Sequence, residues 1–280
     1  MDLHRRSILT GLVAAAACPI CLARSAEASS AGAHWTYDGA EGPEHWGDLA
    51  PDFKACSLGT QQSPITLPRP VHAHLSPLSL RWYPLPLTVV NNGHTIEVPV
   101  PGDASAAEAQ AEDFEDVTQE AGSAASFRYG TASEGGELFT LKQFHFHHPS
   151  EHRIDGQGLA MEIHFVHVNQ TSTAALVVGV FVVAGDENPT LKTIWQAMPK
   201  AVGETKTTQH IHPGRLLPEQ RDRFRYEGSL TTPPCSEIIQ WNIFRRPITA
   251  SKTQIETFAA LFPNNARPVL PLNRRFVLQD

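Results

Sequence analysis

The chain has 280 residues, 41% of them hydrophobic and 18% charged, with a formal net charge of −7 at pH 7. Such a length and composition suit a globular protein with one sizeable core. No run of eighteen apolar residues occurs, which argues against a membrane span, and the negative balance argues against nucleic acid or an anionic membrane surface as partners.

The N-terminus, MDLHRRSILTGLVAAAACPICLARSAEASS, joins Arg5 and Arg6 to an apolar run from Ile8 to about Leu22, followed by small residues such as Ala23, Ala26 and Ala28. A basic start, an apolar middle and an A-x-A-like end read as an export signal over residues 1–30. The adjacent arginines resemble a twin-arginine leader, although an ordinary secretory signal that carries two arginines also fits. Cleavage between Ala23 and Ala31 would leave residues 31–280 as the folded domain, in the periplasm or outside the cell. Cys18 and Cys21 depart with the leader, and Ala15, Ala16 and Ala17 make a poor lipobox before Cys18. Cys56 and Cys235 remain, and in an oxidising compartment a disulfide between them is the default. Closing so long a loop stabilises by about 2–4 kcal/mol in the chain-entropy model.

Short β-like runs broken by proline come next, at 78–83, 87–90 and 95–98. Residues 101–126 then carry Asp103, Glu108, Glu112, Asp113, Glu115, Asp116 and Glu120 with no Lys or Arg. A solvated acidic insertion, with a short surface helix at 106–119, fits that segment better than a binding site does. Further strands are predicted at 127–129, 138–147, 159–168, 176–184 and 238–244. Short helices are predicted at 189–198, 217–224 and 251–261, the last with Ser251 as N-cap. No Gly- and Ser-rich linker and no internal repeat divides the chain. Many strands and few short helices indicate one α+β domain dominated by β structure.

The chemistry concentrates in LKQFHFHHPSEHR, residues 141–153. On a strand, alternate side chains share a face, so Gln143, His145 and His147 point one way while Phe144 and Phe146 turn into apolar packing. LAMEIHFVHVN supplies a third imidazole. Glu162, His164 and Val166 share one face there, and His167 lies on the other. Glu162 can accept the second ring proton of His164, as Gln143 can for His145, which is the support a metal-ligating imidazole needs. One isolated histidine on an apolar strand is better read as a satisfied core residue; His-x-His together with Glu-x-His favours a metal. Three imidazoles without a thiolate suit Zn2+ with its fourth position open to water.

The segments QFHFHH, PSEHRIDG, EIHFVH and SLTTPP, in that order, resemble the signature of the α-class carbonic anhydrases. The similarity extends from HWTYDGAEGPEHWG to PLNRRFVL and spans essentially the whole mature chain. It implies a single β-dominated α+β domain around a large, twisted, mainly antiparallel sheet with short peripheral helices. It also implies a zinc enzyme that hydrates CO2 reversibly to bicarbonate by attack of zinc-activated water. The ligands would be His145, His147 and His164, supported by Gln143, Glu162 and the backbone carbonyl of Asn265. Thr231 resembles the gatekeeper hydroxyl that donates its proton to Glu151 and so can only accept from the nucleophile. Thr232 resembles the neighbouring substrate contact. His94, in NNGHTIEV, falls on the proton-shuttle position, with Asn92 and Tyr37 in the solvent network. Val166, Val177, Leu230, Ile239 and Trp241 map to the apolar CO2 pocket. Cys56 and Cys235 match positions bridged in bacterial members. Ala266 stands where the family carries Trp, and the 101–126 insertion has no counterpart in compact members.

Three alternatives compete with this reading. A non-catalytic, carbonic-anhydrase-like zinc-binding domain would have lost a metal histidine, and this chain keeps all three. A zinc esterase would use the same site, while the absence of H-E-x-x-H argues against a zincin-type peptidase. A zinc-binding or adhesion module could use His72, His74, His210 and His212, but neither VHAHL nor QHIHP offers a carboxylate on the same face. The partners implied are CO2, bicarbonate and water, and the resemblance also allows a homodimer.

Overall fold

The structure, a computed structural model, describes residues 33–101 and 128–280. The export signal, the acidic stretch beyond Pro101 with its expected helix, and Phe127 lie outside the described residues. The chain opens with two short helical turns, α1 (Trp46–Leu49) and α2 (Ala55–Leu58). Strands β1 (Thr66–Leu67), β2 (Val71–His72), β3 (Ser79–Trp82), β4 (Leu85–Asn91) and β5 (Ile96–Pro99) follow. After the acidic stretch come β6 (Gly130–Glu134), β7 (Glu137–His147), β8 (Arg153–Ile154), β9 (Gln157–Gly158), β10 (Met161–Asn169) and β11 (Ala175–Ala184). The remainder is α3 (Pro189–Ala197), β12 (Gly203–Ile211), β13 (Arg223–Gly228), β14 (Ile239–Ala250), α4 (Lys252–Ala259) and β15 (Leu278–Gln279).

Twelve of these strands form one sheet in the order β12-β4-β5-β7-β10-β11-β14-β13-β15-β2, with β6 also on β7 and β3 on β6. Its pairings are antiparallel apart from β11 on β14 and β15 on β2. A small three-stranded sheet, β1-β8-β9, lies beside it.

Each long central strand is buried on both sides, and alternation sorts its residues between two apolar clusters. Phe144, Phe146, Ile163, Phe165, Val178 and Val180 enter the larger one. Leu191 and Ile194 of α3 and Ile255 and Phe258 of α4 cover that face. Asn188 caps α3 through the backbone N–H groups of Thr190 and Leu191, and Ser251 with Gln254 forms a reciprocal capping box at α4. The opposite face holds Val177, Phe181, Tyr226, Ile239, Trp241 and Ile243 in the second cluster. The polar residues Gln143, His145, His147, Glu162 and His164 share this second face, so the site is built on the side the helices leave open.

Two expectations fail here. Residues 217–224 form no helix: Arg223–Gly228 instead pairs antiparallel with β14, setting Phe224 and Tyr226 into the second cluster. Strand β12 escapes hydrophobic patterning because GETKTTQHI is almost entirely polar; it is the exposed edge of the sheet, paired only with β4. The strand expected at 127–129 begins later, at Gly130. His72, His74 and His210 are exposed, as surface histidines should be.

His167 marks the helix-covered face. Its Nδ1 donates to the Leu176 carbonyl at 3.1 Å and its Nε2 accepts from Trp82 Nε1 at 3.1 Å, so the fold holds it neutral. Burial pushes its pKa down to about 4. A folded pKa below the ordinary value of about 6.5 means that stability present above that value is lost as pH falls toward 4. That shift corresponds to about 3 kcal/mol at the acid end. Urea unfolding of His167→Gln should therefore lose less stability between pH 7 and pH 4 than the wild type does, and equal losses would refute the assignment.

Candidate metal centre

The register of β7 against β10 assembles the site. His145 stands opposite His164, and His147 opposite Glu162. The three rings face one another, with centroids 5.0 Å apart for His145–His147, 5.3 Å for His145–His164 and 4.6 Å for His147–His164. One nitrogen from each ring falls within 4.8 Å of the other two.

The outward nitrogens decide which atoms remain for a metal. His145 Nδ1 donates to Gln143 Oε1 at 2.8 Å, His147 Nδ1 to the Asn265 carbonyl at 2.7 Å, and His164 Nε2 to Glu162 Oε1 at 2.8 Å. Each partner oxygen can only accept, so each ring proton is committed outward. Nε2 of His145, Nε2 of His147 and Nδ1 of His164 therefore keep their lone pairs toward the common centre. His147 Nε2 is buried without a hydrogen-bond partner among the described residues. A buried acceptor left in that state costs free energy unless a cation takes it, so the donor set fits a tetrahedral metal with three nitrogen ligands.

Electrostatics agrees. Burial holds His145 well below the ordinary imidazole pKa, with His147 and His164 adding to the effect, and burial also lowers His147. Both are neutral at pH 7, as metal ligands must be. Burial alone would raise Glu162, but the charges and hydrogen bonds of His152 and His164 hold it well below the usual carboxylate range.

Glu162 serves more than one ring. Its Oε1 also receives His152 Nδ1 at 2.7 Å, and its Oε2 accepts the His152 backbone N–H at 2.8 Å. His152 Nε2 meets the Tyr226 hydroxyl at 2.6 Å, and that hydroxyl meets Ser63 Oγ at 2.8 Å. His152, Glu162 and His164 also lie close enough together to suggest a second metal cluster. Their polar atoms already satisfy one another, so they form a hydrogen-bonded brace and not a second centre. Gly179, opposite His164, leaves room for the brace: a Cβ there would meet Ile243 Cγ1 at 3.1 Å and Glu162 Oε1 at 3.3 Å.

Sequence reasoning did not assign His152, Tyr226 or Arg267. The first two meet where the loop after β7 crosses β13, a contact that strand parity does not reach. Arg267 is buried under Trp46, donates to Gln62 Oε1, the Ser63 carbonyl and the Cys56 carbonyl, and anchors Glu151 through its backbone N–H at 2.9 Å. The position of Glu151 in PSEH was the only available pointer to it.

One expected contact is not made. Glu151 Oε1 takes the Arg267 N–H, while Oε2 has no hydrogen-bond partner among the described residues; it lies 3.5 Å from His147 Nε2 and 3.8 Å from His164 Nδ1. The hydrogen bond from Thr231 is therefore absent, the carboxylate leaning toward the imidazoles instead. Thr231 itself is buried. Its loop is tied down where Trp241 Nε1 donates to the Ser229 carbonyl, where Leu230 N–H donates to the Ser236 carbonyl and where Cys235 N–H donates to the Thr232 carbonyl. The Cys56–Cys235 disulfide closes immediately after it.

The remaining residues fall around this centre. Val177, Ile239 and Trp241 are buried in the second cluster, with Val166 and Leu230 packed against it, and the Trp241 ring stands 4.8 Å from that of His164. His94 stacks on Trp35 at 3.8 Å, and burial, with help from His34, lowers its pKa. Asn92 Oδ1 accepts the backbone N–H groups of His94 and Thr95, which shapes the turn that presents His94. Tyr37 packs edge-on to Trp35 and Trp46; burial, then the charge of Glu151, raises its pKa. Beside Ala266, Asn265 is buried and binds both His147 and the His94 carbonyl, so the substitution of the family's Trp leaves that contact intact.

A three-imidazole centre set into a large antiparallel sheet defines the class, and comparison with known proteins agrees. The family model for eukaryotic-type carbonic anhydrase matches residues 41–280. A carbonic anhydrase of Nostoc sp. is 39% identical over 99% of this chain and 98% of its own length. One from Neisseria gonorrhoeae is 37% identical over 92% of this chain and 93% of its own. The solved α-carbonic anhydrase of Thermovibrio ammonificans, in complex with sulfanilamide, is 42% identical and superimposes with a TM-score of 0.76 over 88% of this chain and 99% of that one. The chain belongs to the α-type carbonic anhydrase family, whose zinc enzymes hydrate CO2.

Because Glu162 fixes two imidazoles at once, Glu162→Gln should weaken metal affinity about 10- to 100-fold in a chelator competition while the fold persists by circular dichroism. Unchanged affinity would remove the brace from the account of the centre.

Proposed function

We propose that this chain binds Zn2+ through His145, His147 and His164 and uses it for the reversible hydration of CO2 to bicarbonate and a proton. One observation carries the reading: three lone pairs converge while every outward ring nitrogen is committed to an acceptor. Zinc held there would lower the pKa of a bound water toward neutrality, a value for which carbonic anhydrase is the standard example.

The chain's own residues do the rest. Val166, Val177, Leu230, Ile239 and Trp241 give apolar CO2 a wall that water solvates poorly, beside the imidazole of His164. Thr231 and Glu151 orient the attacking water. In this structure Oε2 of Glu151 has no hydrogen-bond partner among the described residues and the Thr231 hydrogen bond is not made; turning Oε2 toward Thr231 would take that hydroxyl's one proton. Thr231 then has only lone pairs left to offer. Thr232 contacts bicarbonate at the same rim. His94, whose stacking on Trp35 sets it at the turn after Asn92, carries the proton outward, because histidine exchanges protons near neutral pH. Tyr37 and Asn92 order solvent along that route.

The disulfide between Cys56 and Cys235 supports export to an oxidising compartment, the periplasm or the exterior, with residues 1–30 as the signal and 31–280 as the catalytic domain. No helix among the described residues is long and apolar enough to cross a membrane. A homodimer is compatible with this arrangement. A metal-binding domain without activity is disfavoured by the retention of Glu151 and Thr231, and esterase activity would be a by-product of the same centre.

His145→Ala should lose both zinc, by elemental analysis, and CO2 hydration, by stopped flow; full activity in the metal-free variant would overturn the reading. His94→Ala should slow turnover in weak buffer and recover with added imidazole. Turnover that is unchanged at every buffer concentration would remove His94 from the proton route.

A further inference from the structure

One acidic side chain on the metal-facing surface has no place in this scheme. Glu97 lies on β5 directly opposite His145 of β7, and on its other side opposite Val90 of β4. Its neighbours Ile96 and Val98 are fully buried in the helix-covered core, so alternation turns Glu97 to the face that carries the three imidazoles. Directly opposed residues in antiparallel strands hold their Cβ atoms about 5 Å apart, which sets this carboxyl beside the His145 ring. It is half-buried, and unlike Glu151 and Glu162 it receives no hydrogen bond and no ion pair from any described residue. Nothing structural therefore requires an acid here. A glutamine, or the apolar residue that a strand prefers, would complete the sheet equally well.

We propose that Glu97 is a selectivity-determining residue whose carboxylate repels anions approaching the metal centre while leaving neutral CO2 unaffected, so that bicarbonate and inhibitory anions bind more weakly and leave sooner. The inference rests on the carbonic anhydrase reading above. CO2 carries no net charge and feels only the weak gradient of this field, whereas a monoanion in the same cavity feels its full potential. In a partly enclosed site the dielectric is below that of water, and one unpaired charge changes the affinity of a second nearby by roughly three- to tenfold. Work at about pH 8.5, far above the ordinary carboxylate range, keeps the group ionised in the zinc-loaded protein.

The test uses the zinc-loaded protein and two variants, Glu97→Gln, which removes the charge at nearly constant shape, and Glu97→Lys, which reverses it. Calorimetric titration with thiocyanate should give a dissociation constant about three- to tenfold lower in the Gln variant and lower again in the Lys variant. The KM for bicarbonate should fall in the same order. A packing effect would not follow the sign of the charge, so affinities that are equal in all three proteins, or that fail to rank by charge, would overturn the proposal. A wild-type protein that takes up no zinc would overturn the functional reading beneath it, a result that zinc analysis before titration separates from the first.

Discussion

The antiparallel pairing of β7 with β10 is the constraint from which the site follows. Its register sets His145 against His164 and His147 against Glu162, and a slip of one residue would send all of these side chains into the apolar core. The slip is prevented from the other face. Phe144, Phe146, Ile163 and Phe165 are fully buried under the helices and would be forced toward the polar side by any change of register. The hydrophobic core thus sets the geometry of a polar centre it does not contain. The irregularity in this ladder falls between Val166 and His167, just past the last residue the centre needs, and His167 faces the core beside Trp82 by the same alternation that turns His164 to the site.

Burying three imidazoles is tolerable only because each has a committed acceptor. Two of these acceptors sit two residues from the ring they serve, on the same face of the same strand: Gln143 for His145 and Glu162 for His164. The third, the Asn265 carbonyl, comes from 118 residues away, from a segment whose side-chain amide also bonds the carbonyls of His94 and Phe146. The turn that carries His94 and the metal face are thereby joined through one asparagine.

The difference between local and distant support also explains what could be read from the chain. His145, His147, His164, Gln143 and Glu162 were legible because a period of two converts sequence order directly into a shared face. Helix α4 was legible because Ser251 announces its start, and α3 was expected at 189–198, close to its observed span. Strand β12 was not, since an exposed edge has no apolar partner to impose a pattern, and the start of β13, Arg223 and Phe224, was assigned to the helix expected at 217–224. His152 and Arg267 were silent for a different reason. Each acts through contacts between a loop and segments remote in the chain, and no local periodicity encodes that. The roles of Glu151, Thr231 and His94 came from family likeness alone.

Charge gives the arrangement its logic. Glu151 and Glu162 are both buried, and both lie against the imidazoles. Glu162 is held as an anion by hydrogen bonds from His152 and His164, while Oε2 of Glu151 faces the ring nitrogens with no donor among the described residues. Buried carboxylates beside three imidazoles, offset in part by the buried Arg267 guanidinium, favour a cation at the point where the three lone pairs meet. The ligands and the acids around them therefore favour the same charge, and in this fold metal binding belongs to the stability of the protein as well as to its chemistry.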